Sequence, residues 1–171
     1  MGYTSDSDAL LDPIKDKIDA YTNFLVDRMN DASLHVREAA GETVGRFTEN
    51  FHDDFLDMHA KVMPCLLKVI RDLSGSGKDL PIQKSIFALN EFVAQLDYEI
   101  KTYIEDIIQL MLLYIEGDYQ RDVKYWALVA LSASITTAAK KITPYMDGLL
   151  AVFKKLMDSA GSISDQQAIK G

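Results

Sequence analysis

The sequence predicts an all-α protein built as an α-solenoid, a stack of similar helix pairs. Over 171 residues, apolar side chains recur at three- and four-residue spacing, and β-branched alternation is scarce. The nine glycines and four prolines fall mostly between apolar runs. The runs themselves repeat. Met63-Pro-Cys-Leu-Leu, Ile104-Glu-Asp-Ile-Ile and Met146-Asp-Gly-Leu-Leu lie 41 and 42 residues apart, and Thr43-Val44, Ala88-Leu89 and Ala130-Leu131 lie 45 and 42 apart. A period of about 40–47 residues with two helices per unit is the HEAT/armadillo signature. No single unit buries its apolar faces, so neighbours must stack. A plain helical bundle with a chance internal likeness is the competing reading.

Each helix has its own justification. Asp12-Pro13 supplies a cap and a first-turn proline, and Ile14, Ile18, Tyr21, Leu25 and Met29 then form one stripe. Asn30-Asp31-Ala32-Ser33 reads as a tight turn. A second helix over about 36–50 carries Val36, Ala40, Val44 and Phe47 on one face. A third, over about 55–73, carries Met63, Leu66, Leu67 and Ile70, with a kink or break expected at Pro64. The Ser74-Gly75-Ser76-Gly77 loop leads to a fourth helix over about 81–96, with Ser85, Leu89, Phe92 and Leu96 inward. The fifth, about 101–116, is apolar nearly all round and must be covered on more than one side. The sixth, about 121–140, turns Val123, Ala127, Leu131 and Ile135 inward, and Pro144 opens a seventh. The expected organisation is an acidic segment over 1–12, then repeats over about 13–50, 55–97, 100–140 and 144–171. The last is truncated, with 165–171 as the opening turn of an eighth helix, giving about three and a half helix pairs from a longer solenoid.

Charge and cysteine content narrow the function. The net charge is −8, and residues 1–60 hold 13 acids against five bases, so they account for all of it. An acidic half disfavours direct nucleic-acid binding and attracts basic partners. The single cysteine, Cys65, leaves no internal disulfide framework and suits a reducing compartment. Apolar runs fall short of the roughly 18–20 residues of a membrane span, and the polar N-terminus is unlike a signal peptide. These features argue against a membrane role.

The segment from Met29 to Ala40, MNDASLHVREAA, resembles the turn of an importin-β (karyopherin) HEAT repeat. The stretches ENFHDDFLDMHAKVMPCLL (49–67), FALNEFVAQLDYEIKTYIEDIIQLML (87–112) and ALVALSASITTAAKKITPYMDGLL (127–150) are similar, in order and spacing, to consecutive repeats of importin-4-like receptors. That branch includes a receptor for histones and ribosomal proteins. The resemblance implies a right-handed superhelix with first helices convex and second helices concave. It implies basic protein cargo on an acidic concave face, Ran-GTP and nuclear-pore proteins as partners of a longer parent, and residence in cytoplasm and nucleus. It also implies a ladder between units, from a turn acid to a base six residues on: Asp31 with Arg37, and Asp118 with Lys124. The second unit lacks this pair.

Glu38, Glu42 and Glu49 share one helical face opposite the apolar stripe. Concave, they would draw Lys and Arg of a cargo segment; otherwise they are a solvated face. Asn90 and Glu91 take the corresponding place in the second unit. Trp126, the only tryptophan, is either an aromatic shelf for a Lys stem or inter-repeat packing. No enzyme, metal or cofactor signal stands. His35, His52 and His59 lack the spacing of a zinc site, Ser74–Lys78 fails the phosphate-loop pattern, and Cys65 has no evident base. The alternative to a transport receptor is a HEAT scaffold for assembling a protein complex.

Overall fold

The computed structural model describes residues 17–50, 58–96, 98–154 and 157–158. Six α-helices follow in order: α1 (Ile18–Met29), α2 (Leu34–Asn50), α3 (His59–Leu73), α4 (Asp79–Gln95), α5 (Ile104–Glu116) and α6 (Arg121–Ala138). A 3-10 turn at Tyr98–Thr102 leads into α5, and another at Ala139–Tyr145 follows α6. Helix resumes at residue 146, and no strand occurs among the described residues.

The helices pack as hairpins α1–α2, α3–α4 and α5–α6. Between hairpins, like packs on like: α2, α4 and α6 form one layer, and α1, α3 and α5 the other. The most extensive interfaces lie in the second-helix layer, α4 on α6 and α2 on α4, and the first and third hairpins share none of comparable extent. This arrangement is compatible with an α-solenoid, in which each unit buries its faces only on its neighbours. Hydrogen bonds between successive hairpins join residues 35–45 positions apart, from Asn30–Cys65 to Tyr119–Ser74.

The core runs through the stack. Met63, Leu66, Leu67 and Ile70 of α3 and Ser85, Leu89 and Phe92 of α4 are buried, with Leu96 just beyond α4, as their spacing predicts. So are Ile104, Ile107, Ile108, Leu110, Met111, Tyr114 and Ile115, which cover α5 nearly all round. Elsewhere the inward face differs from the expectation. In α1, Thr22 is buried and Tyr21 is not. The smaller side chain takes the inner position, while the amphipathic Tyr21 lies at the rim with its ring 6.0 Å from Phe47. In α2 the buried set is Ala40, Gly41, Val44, Gly45 and Thr48, with Val36 and Phe47 half-buried. The helix turns its small residues to α4 because that contact is close. A Cβ on Gly45 would stand 2.9 Å from the Cα of Ala88.

Proline placement also differs. α3 continues through Pro64, which lies on its exposed side, so no break occurs there. α4 begins two residues before Pro81, in the first turn, where no N–H is owed to the helix. Pro144 sits inside the 3-10 turn instead of opening the seventh helix. The expected helix start at Asp12-Pro13, Ile14, the acids of 1–12, His52 and the turn at 165–171 lie outside the described residues.

Candidate protein-binding groove

The second-helix layer carries a groove of about 390 Å³ where α2, α4 and α6 meet. α2 contributes Glu42, Arg46 and Glu49, set three and four residues apart on one face. α4 contributes Leu80, Gln83, Lys84 and Phe87, and α6 contributes Trp126. Three residues singled out in the sequence, Glu42, Glu49 and Trp126, therefore share one concavity.

The groove has an aromatic wall. The Trp126 indole meets the Phe87 ring edge-on at 5.2 Å, and the Tyr125 ring lies 5.4 Å from it, also edge-on. Trp126 is half-buried: it packs on Phe87 of the preceding unit and also lines the groove. Leu80 is 61% exposed at the same site.

The carboxylates are not equivalent. Lys84 Nζ donates to Glu42 Oε2 at 2.9 Å, and Arg46 Nη2 donates to Oε1 at 3.3 Å. The Lys84 bond, aided by Arg46 and opposed by partial burial, holds the Glu42 carboxyl below the usual carboxylate range. Glu38 is only 14% exposed, with His35 Nδ1 at 3.3 Å and Lys78 Nζ at 3.9 Å. Glu49 is exposed and has no ion pair among the described residues. Within the expected stripe, Lys84 and Lys78 reach back from one unit along to Glu42 and Glu38, whereas Glu49 has no ion pair among the described residues.

Asn90 and Glu91 lie further along α4 and bond to each other, Asn90 Nδ2 donating to Glu91 Oε1 at 3.0 Å. Asn90 lines a separate, shallower groove with Ser132 and Thr136 of α6. Sequence and structure bring this pair to the same layer but not to the Trp126 groove.

Arg37 meets Asp31 through the backbone of Asp31 and not its carboxylate. Arg37 Nη1 donates to the backbone carbonyls of Asp31, at 2.8 Å, and Ala32, at 3.3 Å. Its Nη2 lies 3.5 Å from the Asp72 carboxylate of the next unit. The Asp31 carboxylate instead accepts from Arg28, at 3.1 Å, and from the Ser33 amide, at 2.8 Å, since both lie within its own turn. Among the described residues no ion pair joins Asp118 to Lys124. Asp118 instead lines a shallow depression at the hairpin turns, with Tyr119 and Ser74.

Periodicity within one helix did not reveal Lys84, Leu80 and Phe87, although the four-residue spacing of Glu42 and Arg46 could have revealed Arg46. For Lys84 and Phe87 the signal lay between units: Lys84 follows Glu42 by 42 residues, and Phe87 precedes Trp126 by 39. No group of three His, Cys, Asp or Glu side chains able to hold a metal ion occurs among the described residues, and no helix there is long and apolar enough to cross a membrane. His59 instead meets Tyr103, Nδ1 to Oη at 2.9 Å, and Cys65 lies 3.3 Å from Asn30 Nδ2. No known family model matches the sequence, and no curated protein matches it.

Proposed function

We propose that this chain is a HEAT-type segment of a nuclear import receptor, and that its second-helix face binds a basic segment of protein cargo. The observation that carries the binding role is the groove joining Glu42, Glu49 and Trp126 across three helices. Its aromatic wall supplies apolar contact, and Glu49 supplies the charge that draws a cation. The receptor role, with histones or ribosomal proteins as cargo and with Ran-GTP and nuclear-pore proteins as further partners, rests on the likeness of 29–40, 49–67, 87–112 and 127–150 to importin-4-like repeats.

Titration with a basic histone-tail peptide tests the reading. Affinity falls as salt rises, because exposed charge pairs are screened within about 10 Å at 0.1 M. Glu49→Gln weakens binding, while Glu38→Gln changes it least. Equal binding at 50 mM and 500 mM salt, or a neutral Glu49→Gln, contradicts the reading. For the longer parent, release of the tail by Ran-GTP supports a transport role, and indifference to Ran-GTP supports a scaffold instead.

A further inference from the structure

The charges around the groove differ in availability, and that difference bears on which basic segment fits. Glu42 is held by two cations, Lys84 at 2.9 Å and Arg46 at 3.3 Å. Glu49 alone of the groove's charged side chains has no ion pair among the described residues. The four charges sum to zero, so the groove is a neutral, partly aromatic cleft with one open carboxylate.

We propose that this groove selects an extended protein segment carrying one apolar side chain beside a single Lys or Arg, and discriminates against a run of cations. The apolar side chain covers Leu80 and the Trp126–Phe87 wall, and the single cation meets Glu49. Among the described residues that line the groove, a second or third cation finds no unpaired carboxylate. It faces Lys84 and Arg46, and like charges at close quarters are a standard device of exclusion. The inference rests on the reading that the second-helix face binds protein segments, and it names the class of segment.

Trp126 is the only tryptophan, so 5-fluorotryptophan labelling places one fluorine resonance in the groove. Three decapeptides serve as probes at 150 mM salt: a Gly/Ser peptide with an adjacent Phe and Lys, the same peptide with Phe replaced by Ser, and decalysine. The Phe-Lys peptide shifts the resonance and binds about tenfold or more tighter than the Ser version, the effect of burying a side chain of that size. It also binds tighter than decalysine. Glu49→Gln, a surface change that leaves the packing intact, weakens the Phe-Lys peptide about two- to fivefold. Lys84→Gln removes one cation from the groove, leaves Glu42 with Arg46 alone, and strengthens decalysine.

Decalysine binding tighter than the Phe-Lys peptide to the unaltered chain, or no gain for decalysine in Lys84→Gln, overturns the inference. Either result leaves the proposed basic-cargo reading in place. If neither these peptides nor the histone tail bind, both readings fall.

Discussion

The joint between the first two hairpins and the joint between the second and third differ in the side chains that cross them, although an Arg71–Asp106 ion pair also spans the second. The first is polar and close. Gly45 lets α2 approach the backbone of Ala88, and Glu42–Lys84, Arg37–Asp72 and Glu38–Lys78 bridge the units. Asn23 and Asn30 accept from Lys61 and Lys68. The second is aromatic. The buried Tyr114 hydroxyl donates to the Ile70 carbonyl at 2.5 Å, Tyr119 donates to the Ser74 carbonyl at 2.7 Å, and Trp126 packs on Phe87. These tyrosines satisfy carbonyls at the end of α3 that no helical N–H reaches. The same like-on-like stacking of helices thus accommodates two different sets of contacts. The groove lies where the two joints meet, which is why it has ion pairs along one side and aromatic rings along the other.

The largest expected effect is at the aromatic joint. Tyr114→Ala removes a fully buried ring and lowers unfolding free energy by about 3–5 kcal/mol. Tyr114→Phe, which strips only the hydroxyl from the Ile70 carbonyl, costs about 1–3 kcal/mol. Urea denaturation measures both, and equal losses would show that the ring fills no essential space.

At the polar joint the test is a pair of glycines. Gly45→Ala forces α2 off Ala88 and destabilises by about 1–3 kcal/mol. Gly41→Ala meets Leu66 and Val69 at an ordinary 3.6 Å, and gains up to about 1 kcal/mol from helix propensity. Thermal melts that moved alike for the two would contradict the close approach at Gly45.

Titration separates the joints further. Burial pushes the Tyr114 phenol above its ordinary range, so the folded state favours the neutral form. That contribution is whole below about pH 10 and is lost as pH rises beyond it, so denaturation midpoints fall between pH 9 and 11. They fall less in Tyr114→Phe. Glu42 behaves oppositely. Its lowered carboxyl stabilises the fold above the ordinary carboxylate range, and the effect is lost as pH falls through the folded-state value. With the side chain 30% exposed, Glu42→Gln costs only about 0–1 kcal/mol at pH 7, and the gap from the unaltered chain closes in acid.

Much of the architecture was legible because burial and helical spacing agree within a segment. α3, α4 and α5 present the inward faces their sequences predict, and the 41–45-residue spacing reappears in the hydrogen bonds between hairpins. What escaped depends on the neighbouring unit. Within α2, Val36 and Phe47 read as core, but the close pass of α4 selects Gly41 and Gly45. Within α1, spacing alone does not tell Tyr21 from Thr22. The glutamate stripe was legible as a face but not as a charge, since Lys78 and Lys84, which reach Glu38 and Glu42 from the next unit, lie about 40 residues away. The net charge of −8 thus overstates what α2 offers a basic partner, and Glu49 is the residue of that stripe left for it.

The proposed partner meets the second-helix layer, and not the layer bearing the exposed Phe24 and Leu113. Amide chemical-shift mapping of the isotopically labelled chain with a basic histone-tail peptide decides between the two layers. The expected shifts concentrate at Glu49, Leu80, Lys84, Phe87 and Trp126, with Phe24 and Leu113 unmoved. Shifts confined to α1, α3 and α5 would contradict that placement.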